Sequence, residues 1–120
     1  MLRALVVDDS RILARALAQS GFEVLQAANG REALDTLEVE GASLDLVLMD
    51  WNMPELSGFH ALEQIRAGQH FNRIRVVMVT TETEIDQMTR ALQAGADEYL
   101  MKPFVHEALE DKLRLLGLLP

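Results

Sequence analysis

A chain of 120 residues, 49% hydrophobic and 25% charged, fits one globular domain and excludes a disordered segment. Nineteen acidic residues against eleven basic ones give a net charge of −8, which argues against nucleic acid as a direct partner. The absence of cysteine removes disulfides, thiolate nucleophiles and Cys-based zinc sites together. No apolar stretch is long enough to cross a bilayer, so membrane insertion is not expected. A secretory leader is not expected, because Leu2–Val7 is short and runs straight into Asp8 and Asp9. The expectation is a single cytoplasmic domain over residues 1–120.

In chain order, an apolar run at Ala4–Val7 predicts the first strand, and Leu13 and Leu17 mark the inner face of a helix after it. Phe22–Leu25 predicts a second strand, followed by helical spacing at Ala33, Leu34 and Leu37. Leu44–Met49 is the third strand, with Phe59, Leu62 and Ile65 on the next helix. Val76–Val79 is the fourth, with Ile85, Met88 and Leu92 behind it. Tyr99–Met101 is the fifth, with Leu109, Leu113 and Leu116 on the last helix. Gly21, Gly41, Gly68, Gly95 and Gly117 each follow an amphipathic segment, where a left-handed residue is expected to end a helix. Asn29 with Glu32, and Thr81 with Glu84, have the spacing of a capping box.

The strands are continuously apolar rather than alternating, which suits strands covered on both faces. The rhythm is therefore (βα)5, an α/β fold with a doubly wound, five-stranded parallel sheet. In such a sheet ligands bind at the carboxyl ends of the strands. Asp8 and Asp9 follow strand 1, Asp50 strand 3, Thr80 strand 4 and Lys102 strand 5. Polar residues end many strands, but that alone poorly explains three acids converging on one sheet edge. Two like charges about 4 Å apart repel by about 4 kcal/mol at an effective dielectric of about 20, so the cluster calls for a cation. An all-oxygen site with few protein ligands favours Mg²⁺ over Ca²⁺, and the absence of nearby His or Cys disfavours zinc. The open positions of such a metal suit a phosphoryl group.

Four segments now stand in order: VVDDSR at 6–11, LVLMDWNMPELSG at 46–58, VVMVTTE at 76–82 and AGADEYLMKPF at 94–104. Together they resemble the receiver domain of two-component response regulators over essentially the whole chain. Asp50-Trp51-Asn52-Met53-Pro54, Glu82 and Tyr99 make the resemblance strongest to the stand-alone chemotaxis type. The resemblance implies a flavodoxin-like strand order of 2-1-3-4-5. It implies that Asp50 takes a phosphoryl group from a phosphohistidine on a histidine kinase or His phosphotransfer protein. Mg²⁺ (Mn²⁺ could substitute) would be held by Asp9 and Asp50, by Asp8 mainly through water, and by the backbone carbonyl of Asn52. Lys102 and Thr80 would each contact a phosphoryl oxygen, with a cis peptide between Lys102 and Pro103. Asn52 and Glu82 would tune loss of the phosphoryl group. Thr80 and Tyr99 would switch an output protein's binding to the face formed by helix 4, strand 5 and helix 5. On spacing alone, Tyr99 is equally an ordinary half-buried strand aromatic.

The remaining chemistry-bearing residues take plainer readings. His60, His70 and His106 lie in or beside helices and read as surface residues, and the six Met as core filler. Eleven residues separate Asp9 from Gly21, about one helical turn fewer than receivers usually have. That loss bears on the first helix, which in the family contributes to docking the phosphodonor. Thr81 stands where the family usually has Ala or Gly, and its added atoms narrow the approach to Asp50. Two alternatives are weaker. A haloacid dehalogenase-type phosphatase would carry D-x-D on strand 1 and a cap domain, whereas Asp8 and Asp9 are adjacent. A flavodoxin-like cofactor binder would need a hydroxyl- and Gly-rich loop where these acids stand. The chain could also be a receiver module cut from a longer regulator or hybrid kinase.

Overall fold

In the computed structural model, the described residues are all but 9–10, 54–55, 69–70, 72 and 82–84, with only the backbone of Ile85. Five strands, β1 (Arg3–Val7), β2 (Glu23–Ala27), β3 (Leu46–Asp50), β4 (Arg75–Thr80) and β5 (Glu98–Met101), form one sheet in the order β2-β1-β3-β4-β5. All pairings are parallel. Helices α1 (Ile12–Gln19), α2 (Gly30–Glu40), α3 (Gly58–Ala67), α4 (Ile85–Gln93) and α5 (His106–Leu115) connect or follow them.

Both faces of the sheet are covered, which is why the strands read as unbroken apolar runs. Leu5, Val7, Val47, Met49, Val76 and Met78 pack with Ala33 and Leu37 of α2, Leu62 and Ile65 of α3, and Ala91 of α4. Their neighbours Ala4, Val6, Leu46, Leu48, Val77 and Val79 turn to the other face, against Leu13 and Leu17 of α1 and Leu109 and Leu113 of α5. The period of two along each strand is present in the packing, but both phases are apolar.

The local signals hold unevenly. Asn29 caps α2 by accepting the Glu32 N–H at 2.9 Å, while Glu32 reaches back to the Ala28 N–H at 3.5 Å. The second capping box falls on Glu84, outside the described residues. Gly21, Gly95 and Gly117 are left-handed, with φ of 95°, 111° and 77°. Gly41 and Gly68 are not. The chain at Gly41 (φ −55°) continues into a 3₁₀ turn, and a Cβ there would stand 2.6 Å from the Phe71 ring. Gly68 leaves α3 in extended conformation (φ −93°, ψ 139°).

The expected inner face of α4 also needs correcting: Leu92 is 44% exposed and Ala91 is the buried residue. Helical spacing alone did not separate the two because α4 lies at the sheet margin and buries a narrow stripe. Met1 and Met101 are exposed, whereas Met49 and Met78 fill the core. His60 is exposed and His106 half-buried beside Ser20 and Glu110; His70 is outside the described residues.

Candidate functional site

Parallel register brings the strand ends level. Val7 pairs with Met49 and Asp50 with Val79, so Asp8, one residue past β1, stands beside Asp50 at the end of β3. Thr80 pairs with Met101, and the Lys102 N–H donates to the Thr80 carbonyl at 2.8 Å. Loop hydrogen bonds fix the rest. The Asp8 N–H donates to Ala27 O at 3.0 Å and the Trp51 N–H to Val79 O at 2.8 Å. Ser57 caps α3 by accepting the His60 N–H at 3.2 Å. The peptide between Lys102 and Pro103 is cis.

The result is a largely covered ionic bridge. Lys102 Nζ donates to Asp8 Oδ2 at 3.2 Å and to Asp50 Oδ2 at 3.3 Å. Asp8 is only 3% exposed, and Thr80 2%. The acid cluster thus carries its own cation, an ammonium shared between two carboxylates. Burial raises the Asp50 pKa above its ordinary value; the charge on Lys102 pulls it down and that on Asp8 pushes it further up. Burial disfavours the Lys102 ammonium, yet Asp50 and Asp8 together outweigh this and hold its pKa above the usual lysine range. One ammonium against two acids leaves negative charge at the site, and the described donors are oxygens. Both features fit a hard divalent cation such as Mg²⁺.

Of the residues singled out from sequence, the structure brings together Asp8, Asp50 and Lys102, with Thr80 buried alongside. The Thr80 hydroxyl lies 3.5 Å from Gln87 Oε1 of α4. Asn52 is exposed on the loop after β3. Tyr99 is half-buried on β5, two residues from the level of Thr80. Asp9 and Glu82 lie outside the described residues. Spacing gave no sign of a stack built on Trp51: its ring lies on Phe59 of α3 (centroids 4.9 Å apart), and Arg90 of α4 covers that ring at 4.6 Å. Beside the bridge is a cleft of about 540 Å³, with Ile12, Leu13, Pro103 and Phe104 against Asp8 and Lys102. Thr81 lines it too, next to Asp8 and Lys102.

The half-buried Asp50 carboxylate makes a stability prediction. Its folded-state pKa exceeds the unfolded value, so this group's contribution to stability falls as pH rises through that interval. Without metal at neutral pH, Asp50→Asn should therefore melt above wild type. Thermal unfolding in EDTA checks this; a lower midpoint would make the carboxylate a structural acceptor.

The sequence profile of the response regulator receiver domain matches residues 4–114. The chain belongs to this receiver family. The chemotaxis protein CheY1 of Helicobacter pylori is 38% identical over 120 residues, spanning 96% of each chain. The solved structure of Vibrio cholerae CheY4 superposes with a TM-score of 0.86 at 34% identity, covering 96% of this chain and 98% of that one. A CheX–CheY–BeF3–Mg²⁺ complex from Borrelia burgdorferi contains a chain matching at TM-score 0.87 and 25% identity, covering 96% of this chain and 89% of that one. This receiver is CheY-like in sequence and fold, and its class is two-component signalling. Family membership removes the dehalogenase-type and flavodoxin-type alternatives; the receiver family is one of signalling domains, not classical enzymes.

Proposed function

We propose that this receiver accepts a phosphoryl group on Asp50 and changes its affinity for an output protein through Thr80 and Tyr99. The observation that carries the reading is the Asp8–Lys102–Asp50 bridge at the carboxyl ends of β1, β5 and β3. Phosphoryl transfer asks little covalent work of the protein and depends on in-line positioning and charge neutralisation. A carboxylate oxygen of Asp50 attacks the phosphorus of a phosphohistidine. The new P–O bond forms as the P–N bond breaks, and the imidazole leaves with the electron pair. No general base is required, because the nucleophile is an anion. Lys102 then pairs with one phosphoryl oxygen and the Thr80 hydroxyl donates to another.

Asp8, Asp9, Asp50 and the carbonyl of Asn52 would hold Mg²⁺, with Mn²⁺ as a substitute. When bound, the cation supplies neutralisation of the phosphoryl oxygens. The chain would act catalytically only on its own phosphorylation and its reversal, with Asn52 and Glu82 beside the path of attacking water.

The phosphodonor is a histidine kinase or His phosphotransfer protein. Ile12, 72% exposed, and the exposed Arg11 and Arg15 offer it an apolar and basic surface next to the cleft. The output protein would engage the α4–β5–α5 face, where Leu92 and Met101 are exposed. Nucleic acid is not a direct partner on a chain of net charge −8. No helix among the described residues is long and apolar enough to cross a membrane. The receiver is read as extending over residues 1–120 and working in the cytoplasm.

Trp51 is the only tryptophan and adjoins Asp50, so its fluorescence reports on the site. It should change on titration with Mg²⁺ and again on adding acetyl phosphate. Asp8→Asn should weaken the first response and Asp50→Asn should remove the second. Identical curves for all three proteins would defeat the assignment.

A further inference from the structure

β5 is one of the two edge strands, and its one tyrosine sits in a contact that the phosphorylation chemistry does not require. Lys112, on α5, places Nζ 4.8 Å from the centroid of the Tyr99 ring. The same ammonium donates to Glu98 Oε1 at 3.1 Å. That carboxylate oxygen also accepts the Tyr99 N–H at 3.1 Å. As an edge strand, β5 has backbone donors that no neighbouring strand takes up, and the Glu98 side chain satisfies this one. Backbone, carboxylate, ammonium and ring therefore close on one another within two residues of β5 and one turn of α5. Both charged side chains are largely covered, at 28% exposure for Lys112 and 21% for Glu98. Cover of this kind reduces screening and strengthens a cation on a ring face.

We infer that Lys112, anchored by Glu98, is a positioning residue that holds the Tyr99 ring in its resting place and so sets how far the unphosphorylated protein is switched off. This rests on the reading of Tyr99 as the switch. A ring that moves toward Thr80 leaves the ammonium, and Lys112 keeps only Glu98. The contact favours one state alone, which is the condition for biasing a two-state element. The phosphoryl group must offset it before the output face changes. Lys112 thus lowers basal signalling and lowers the apparent affinity of any ligand that needs the inward ring.

The single tyrosine makes the test site-specific. The ring carbon and proton resonances of Tyr99 are followed by NMR in wild type, Lys112→Met, Lys112→Arg and Glu98→Gln, while beryllofluoride is titrated with Mg²⁺ present. In Lys112→Met the free-protein resonances should move part of the way toward their beryllofluoride-bound positions. Half-saturation should fall by at least roughly two- to fivefold, the factor for an exposed cation–π contact and so a lower bound for this covered one. Lys112→Arg, which keeps a cation for the ring, should stay near wild type, and Glu98→Gln should fall between. Wild-type resonances that respond to beryllofluoride, together with an unchanged Lys112→Met protein, would overturn the clamp and leave the switch standing. Wild-type Tyr99 resonances that ignore bound beryllofluoride would overturn the switch reading and the clamp with it.

Discussion

Incubated with acetyl phosphate and Mg²⁺, the wild-type chain should gain the mass of one phosphoryl group, and Asp50→Asn should gain none. The two side chains are nearly the same shape, so the comparison isolates the nucleophile. In wild type an anionic oxygen forms the P–O bond as acetate leaves with its electron pair; an amide oxygen lacks the charge to do so. The variant should remain folded, since the change removes charge from two acids, one buried and one half-buried, that share one ammonium. Chelation by EDTA should also abolish the gain in wild type, because Lys102 alone must already serve Asp8 and Asp50 before any phosphoryl charge arrives. Intact-mass spectra decide the matter. An equal gain in the Asn variant would move the nucleophile elsewhere, and Asp8 is the described acid next in line.

How much of this was legible in the sequence depends on whether a feature is local. The βα rhythm is local, and each apolar run marks a strand, though the ends shift: the third run begins at Leu44 while β3 begins at Leu46 and takes in Asp50. The site follows from topology, because parallel strands of similar length end at one edge; Asp8, Asp50, Thr80 and Lys102 needed only that rule. Features made by a helix side chain meeting another part of the fold left no periodic signal. Arg66 of α3 donates to the carbonyls of Phe71, Ile74 and Gly95 and pairs with Asp97 at 2.9 Å, pinning two loops below the sheet. The Arg90–Phe59–Trp51 stack and the Lys112–Tyr99 contact are of the same kind. Gly41 and Gly68 mislead for the complementary reason. A glycine past a helix can serve close packing or a plain extended exit as well as a left-handed turn.

Gly58→Ala should be among the most damaging single-methyl changes in the molecule. Gly58 opens α3, with its N–H donated to Trp51 O at 2.9 Å, so the loop after β3 doubles back onto the strand's end. A Cβ at this position would stand 2.0 Å from the carbonyl oxygen of Asp50 and 2.9 Å from Met49 Cγ. The first obstacle is backbone, which has no rotamer to change. Alanine is a better helix former than glycine by about 1 kcal/mol, but overpacking against a fixed group costs about 1–3 kcal/mol and sometimes more. The clash should win, lowering the melting temperature by several degrees, on the order of 4 °C for each kcal/mol. Gly68→Ala is the matched control. Gly68 has a negative φ and nothing among the described residues within 4 Å of a new Cβ, so the same methyl there should be neutral or slightly stabilising. The two also separate in function. Whatever movement relieves the clash at Gly58 displaces the backbone of Asp50 itself, so phosphorylation by acetyl phosphate should slow in Gly58→Ala even at temperatures where it is fully folded, and should be unchanged in Gly68→Ala. Equal melting points for the two variants would mean that the turn from β3 to α3 is slack enough to absorb a side chain, and that Asp50 is not held in place from behind.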